Sequence, residues 1–349
     1  MALGAVAEPP VRRRGSDYAQ LSRRISEAGL LERRPGWYVT RIVLTLGAFV
    51  AGWVAVFLLG DSWWQLPLAA VMAVATTQVA FLGHDAGHRQ MFRRRGPSEL
   101  VGLFAGNAAV GLSYGWWVDK HNRHHANPNH EDEDPDVGAG ALVWTPEQAL
   151  ETRGIGRWMA KRQAYLFFPM LLLEGLNLHA ASIKAIVGRE DGKYAVPMRR
   201  RAVEAALLVA HTAAYVALLL AVMSPVKALL FAVVHQALWG LYMGCAFAPN
   251  HKGMPMPTAE DELDFLRKQV LTSRNVRGSR LVDTALGGLN YQIEHHLFPN
   301  MPRANLRRAQ PIVRAYCAEQ GIPYAETGLV ESYRQALGHL HEVGQPLRG

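Results

Sequence analysis

Residues 121–125 read HNRHH, which sets His121, His124 and His125 three and four positions apart, the spacings at which side chains become neighbours on one helix face. Outward from that stretch, residues 84–88 read HDAGH, with His84 and His88 again four apart, and residues 292–296 read QIEHH, ending in His295 and His296. Seven of the 14 histidines thus stand in three short clusters. A neutral imidazole is a common metal ligand. A single H-x-x-x-H is a weak sign, because a surface helix shows it by accident; three clusters, one holding three rings, are a strong one. A tetrahedral ion takes at most four protein ligands, so seven converging imidazoles point to two ions, each with roughly four nitrogens and an open position for dioxygen. Iron is the expected metal, since an open pair of histidine-bound irons supports oxidation that redox-inert zinc does not. His179, His211, His235, His339 and His341 stand outside the clusters and are expected to be hydrogen-bonded or solvent-facing.

Hydropathy says where the clusters lie. The chain has 349 residues, 50% of them hydrophobic, with nine tryptophans, yet its mean hydropathy is near zero because apolar and basic stretches are segregated. Residues 42–60 form an uncharged run that spans about 28 Å as a helix, and 66–83 form a second. The turn between them, DSWWQ, holds an acid and two tryptophans but no Lys or Arg, as an outer turn with an aromatic belt does. A second hairpin is expected from spans 203–223 and 226–248. Its polar interruptions, Glu204, His211 and His235, should face protein rather than lipid. Arg12, Arg13, Arg14, Arg23, Arg24, Arg33, Arg34 and Arg41 precede the first span, Arg93 to Arg95 and Arg199 to Arg201 fall in the middle segment, and the outer turns contribute only Lys227. The positive-inside rule therefore puts both termini and all three clusters on the cytoplasmic side. Two shorter apolar stretches, 100–112 and 164–178, would strand a cluster if either crossed alone; the second carries Pro169 and Glu174. Both are expected to lie against the bilayer as interfacial or re-entrant helices.

Three parts follow: a basic cytosolic segment at 1–36 with a short amphipathic helix near 18–31, a membrane domain at 37–320, and a cytosolic tail at 321–349. The N-terminal arginine pairs lack the hydrophobic region and cleavage site of a targeting signal. Cys245 falls in a span and Cys317 in the cytoplasmic part that follows the last span, so no disulfide is expected between them. The run HEDEDPD at 130–136 reads as a solvated loop. Net charge is +8, but the excess flanks the membrane spans, which argues against nucleic-acid binding.

The trio HDAGH, HNRHH and QIEHHLFPNMPR, spaced around two hairpins, resembles the membrane-bound fatty acid desaturase family, and WWVDKHNRHHANPN with the DPD that follows is similar to its bacterial members. The resemblance covers about residues 37–320. It implies an all-α integral membrane protein with four transmembrane helices in two hairpins and a helical cytosolic cap holding a histidine-ligated di-iron site. It also implies one further histidine between the last span and the third box, for which His251 in APNHKGM is the candidate. Gln292 opens the third box where many relatives have histidine; this is similar to front-end desaturases but occurs more widely. The implied reaction is oxygen-dependent introduction of a double bond into an acyl chain carried by a lipid or by coenzyme A. Such a chain can pass from bilayer to an apolar tunnel without meeting water. Asp85, Asp119 and Glu294 are either acceptors for distal imidazole protons or ordinary surface carboxylates. The chain carries no HPGG haem signature and no glycine-rich dinucleotide fingerprint, so an external donor such as a ferredoxin with its reductase is expected. A membrane di-iron hydroxylase or carotenoid ketolase would use similar boxes. A metal transporter would instead place ligands near mid-membrane, whereas these clusters fall at span ends.

Overall fold

The structure, a computed structural model, describes residues 16–188 and 198–348. Arg12, Arg13 and Arg14 lie outside the described residues, as does the Arg199 side chain. Helix α1 (Asp17–Glu27) opens the described chain and packs on the cap. Two long apolar helices follow, α2 (Pro35–Leu59) and α3 (Gln65–Gly87), and later two more, α10 (Met198–Val222) and α11 (Pro225–His251). By length and composition these four are long and apolar enough to cross a membrane, so both expected hairpins are present. Their outward faces are exposed and apolar, as at Leu44, Leu58, Val226 and Leu229.

The helices run beyond the apolar sequence that announces them, and they do so at the histidine end. α2 starts at Pro35, before the uncharged run, where the missing proline N–H costs no intrahelical bond. α3 continues past Gly83 through His84, and α11 past Ala248 through Pro249 and Asn250 to His251. The polar interruptions are satisfied internally. His235 lies 3.1 Å from Thr76 Oγ1 and 3.0 Å from the Tyr215 hydroxyl, and His211 Nδ1 donates to the Ala108 carbonyl at 3.0 Å.

Between the hairpins the chain forms α4 (Arg95–Leu103), a π-helical turn at Phe104–Val110, and α5 (Tyr114–Ala126). It then makes the short α6 (Pro146–Glu151) and α7 (Gly154–Ala160), followed by α8 (Gln163–Leu171) and α9 (Glu174–Val187). α8 and α9 meet at 73°, so the stretch near 164–178 is bent and neither piece reaches across a bilayer alone. Gly111 ends the π turn at φ +82°, and a Cβ there would lie 2.6 Å from the His211 ring. After the last span come α12 (Phe265–Leu271), β1 (Asn275–Arg277), α13 (Arg280–Ala285), α14 (Gln292–Leu297), α15 (Arg303–Glu319), β2 (Glu326–Gly328) and α16 (Leu329–Val343). The two three-residue strands pair in parallel and are the described chain's whole sheet content. One apolar core lies between the long helices around Met72, Phe231 and Trp239; a second, in the cap, joins α1, α12, α14 and α15 around Ile25, Leu297 and Tyr316.

Candidate metal centre

Four elements bring the histidines to the junction of bundle and cap. His84 is in the last turn of α3 and His88 is its C-cap; α5 carries His121, His124 and His125; His251 is the last residue of α11; α14 carries His295 and His296. α5 is aimed by a buried carboxylate from α10. Glu204 Oε2 accepts from Ser113 Oγ at 2.6 Å, Gly115 N at 3.1 Å and Asn107 Nδ2 at 3.3 Å, so a negative group sits at the positive end of the helix dipole. α14 is pinned by Asn275, whose Oδ1 accepts from Ile293 N at 2.9 Å.

The donor nitrogens of His84, His88, His121 and His295 lie within 4.8 Å of one another, and so do those of His124, His251 and His296. His125 sits between the groups, its ring centroid 4.5 Å from His88 and 4.2 Å from His296. All eight expected histidines therefore converge. The other six do not join them; His339, for example, bonds the Trp144 carbonyl at 3.1 Å.

The second group shows why a cation fits. His124 Nδ1 faces Asp134 Oδ2 at 2.9 Å, His251 Nδ1 the Thr272 carbonyl at 3.0 Å and His296 Nδ1 the Gln269 Oε1 at 2.9 Å. Each outer nitrogen has an acceptor, which fixes the proton there and turns the lone pair of each Nε2 inward. Those nitrogens stand 3.3 Å apart between His124 and His251 and 3.1 Å apart between His251 and His296, an arrangement of mutually repelling lone pairs that a cation relieves. In the first group, His84 Nε2, His88 Nε2 and both His295 ring nitrogens are buried without a hydrogen-bond partner among the described residues. Burial, reinforced by the neighbouring rings, holds His121, His125, His295 and His296 well below the usual imidazole pKa, which keeps them in the neutral form that binds metal. His124 departs from them: burial works against its charge, but Asp134 and Asp136 outweigh it and raise its pKa.

Of the three carboxylates read as either imidazole acceptors or ordinary surface acids, only Asp85 faces a ring of the centre. Its Oδ1 lies 3.3 Å from His84 Nδ1 and its Oδ2 2.7 Å from Arg303 Nη2. Asp119 turns outward on α5 to pair with Arg123 at 3.1 Å. Glu294 is buried but points away from the rings, accepting from Asn275 Nδ2 and the Tyr324 hydroxyl, each at 2.7 Å; burial pushes its carboxyl up to about 7. The supporting acid that sequence reasoning missed is Asp134, from the run expected to be a solvated loop. It is 3% exposed and bonds both His124 and Asn129 N. Gln292 Nε2 lies 2.8 Å from His251 Nε2, which brings the opening residue of the third box to the centre's edge.

A cavity of about 580 Å³ meets the centre; His84, His121, His124 and His251 line it together with apolar residues such as Val110, Leu112, Leu178 and Phe247.

A profile of the fatty acid desaturase family matches residues 61–328. The chain is 28% identical over 340 residues to the Delta(6)-fatty-acid desaturase fat-3 of Caenorhabditis elegans, covering 95% of this chain and 75% of that protein. It is 30% identical over 320 residues to an acyl-lipid (9-3)-desaturase of Physcomitrium patens, covering 88% and 59%, and 30% identical over 313 residues to the Delta(5) fatty acid desaturase fat-4 of C. elegans, covering 88% and 69%. A profile matched over most of the chain, on a membrane helix bundle with histidine clusters able to hold metal, shows that the protein belongs to the fatty acid desaturase family, oxidoreductases that desaturate fatty acyl chains.

Proposed function

We propose that His84, His88, His121, His124, His125, His251, His295 and His296 are the ligands of two iron ions, the first group serving one, His124, His251 and His296 the other, with His125 between them. The observation that carries this reading is the inward convergence of three Nε2 lone pairs at 3.1–3.3 Å, each ring held from behind by its own acceptor. Bound iron would supply dioxygen activation, the oxidation of an unactivated methylene pair that no side chain performs. The chain's own residues do the rest. Asp134, Thr272, Gln269 and Asp85 fix ring tautomers and directions, and the apolar cavity wall takes up the methylene chain and excludes water. Overall the acyl chain loses two hydrogens and dioxygen is reduced to water, which requires two further electrons and two protons. We assign the electrons to a separate donor, a ferredoxin with its reductase.

The membrane domain, 37–320, lies between the basic segment 1–36 and the C-terminal segment 321–349, and works in the cytoplasmic membrane with the cap and both termini cytoplasmic. What supports that orientation is the concentration of arginines on the cap side. The lone basic residue of the outer turns, Lys227, is paired with Asp61 at 3.1 Å.

Protein purified in membranes, supplied with an acyl lipid, dioxygen and a reduced ferredoxin, should yield a product lighter by two hydrogens in mass spectrometry. A product heavier by one oxygen would transfer the chain to the hydroxylases. Alanine at His124 should abolish product and lower bound iron, while alanine at His339 should do neither; full activity in the His124 variant would overturn the ligand assignment.

A further inference from the structure

The charged residues that line the cavity, besides the imidazoles, are Lys120, Asp136, Glu174 and Lys252 among those described. Three of them form one cluster. Lys120 and Lys252 are the chain neighbours of His121 and His251, and both side chains converge on Asp136: Lys120 Nζ pairs with its carboxylate, and Lys252 Nζ donates to its main-chain carbonyl at 3.0 Å. The Lys252 ammonium also lies 3.9 Å from the centroid of the Trp144 ring, a cation held over an aromatic face. Asp136 is itself 3.5 Å from His124 Nδ1. Two ammonium groups thus converge on one residue, Lys120 at its carboxylate and Lys252 at its main-chain carbonyl. An ammonium has three N–H donors; among the described residues Lys252 uses one hydrogen bond and has no carboxylate within ion-pair reach. The cluster therefore keeps donors for an oxygen, at one place in a cavity whose other walls are largely apolar.

An acyl substrate has one polar place along its length, the carbonyl that joins it to its carrier. We propose that Lys120 and Lys252, bracketed by Asp136, bind the carbonyl oxygen of the acyl ester or thioester, so that the new double bond is counted from the carboxyl end of the chain. This rests on the reading of the histidines as the oxidising centre. Asp136, with which Lys120 pairs, is 3.5 Å from the ring of His124, so a carbonyl held by this cluster lies a short run of methylenes from the metals. The rest of the chain extends along the largely apolar remainder of the cavity, past Val110, Leu112, Leu178 and Phe247.

The test uses the intact protein in membranes and two saturated substrates that differ by two methylenes, with products located by gas chromatography and mass spectrometry. The double bond should stay at the same distance from the carboxyl carbon in both; a constant distance from the methyl end overturns the proposal. Offering each chain as a phosphatidylcholine ester and as a coenzyme A thioester tells which carrier presents the carbonyl. Lys252→Met and Lys120→Met should raise KM about tenfold or more, the worth of a hydrogen bond to a charged group, with smaller loss in kcat, and scatter the product among neighbouring positions, while Lys252→Arg should retain a single position. Bound iron is measured on the same preparations. Unchanged KM and a single product at full metal content would remove the role assigned to the lysines. No product from the unaltered, iron-loaded protein would instead count against the desaturase centre itself.

Discussion

Asp134 carries more of the centre than its sequence suggests. Buried and shared between His124 and the Asn129 amide, it sets one ring's tautomer and direction. Asp134→Asn should weaken metal binding about 10- to 100-fold, the usual effect of losing such a partner, as read by chelator competition; Asp119→Asn, on the outer face, should leave it unchanged. The difference was not legible in HEDEDPD, where every acid looks alike and only tertiary packing buries one of them. Glu294 teaches the converse. Adjacency to His295 does not say which way a side chain points, and on α14 it points to Asn275 and Tyr324. Acid should also undo the site. His121, His125, His295 and His296 keep folded pKa values well below their ordinary ones, so below pH about 6.5 the unfolded chain binds protons that the folded chain refuses, and stability falls as pH drops. His124, shifted upward, and Glu294, whose raised carboxyl takes up its proton first in the folded chain, oppose this with two groups against four. Thermal unfolding followed from pH 7.5 to 5 should show the melting temperature falling and metal leaving together; a rise on acidification would contradict the neutral, ligand-ready rings.

At the scale of elements, the histidines are placed by helix ends. The apolar runs made all four spans legible, because a bilayer demands about 20 apolar residues whatever the fold. They did not reveal that α3 and α11 continue to Gly87 and His251, since those last turns are held by the cap rather than by lipid. α5 has its own anchor. Replacing Glu204 by leucine strips the partner from Ser113, Asn107 and the Gly115 amide and leaves them buried unsatisfied, at about 1–3 kcal/mol per group. The variant should melt earlier and lose activity even though Glu204 touches no histidine, whereas Glu204→Gln, which keeps an acceptor oxygen, should recover part of both. Equal stability of the leucine variant and the parent would show that α5 is set by packing alone.

For the whole molecule, the design places a polar, metal-ready pocket where a membrane bundle meets its cap, with an apolar cavity beginning at the same place. The three boxes and the parity of the spans made this junction legible, because ligands from distant segments form one site only if they fall on one side. Which residues line the cavity, and how Asp136 gathers two lysines, depends on the path of the loop after α5 and carries no periodic signal. Everything above the junction depends on what the eight rings hold. Metal analysis of the protein purified from membranes without added metal tests that most directly: the account predicts two iron atoms per chain, falling in proportion when His124 or His296 is replaced by alanine, and zinc alone, or iron unaffected by those replacements, would contradict it.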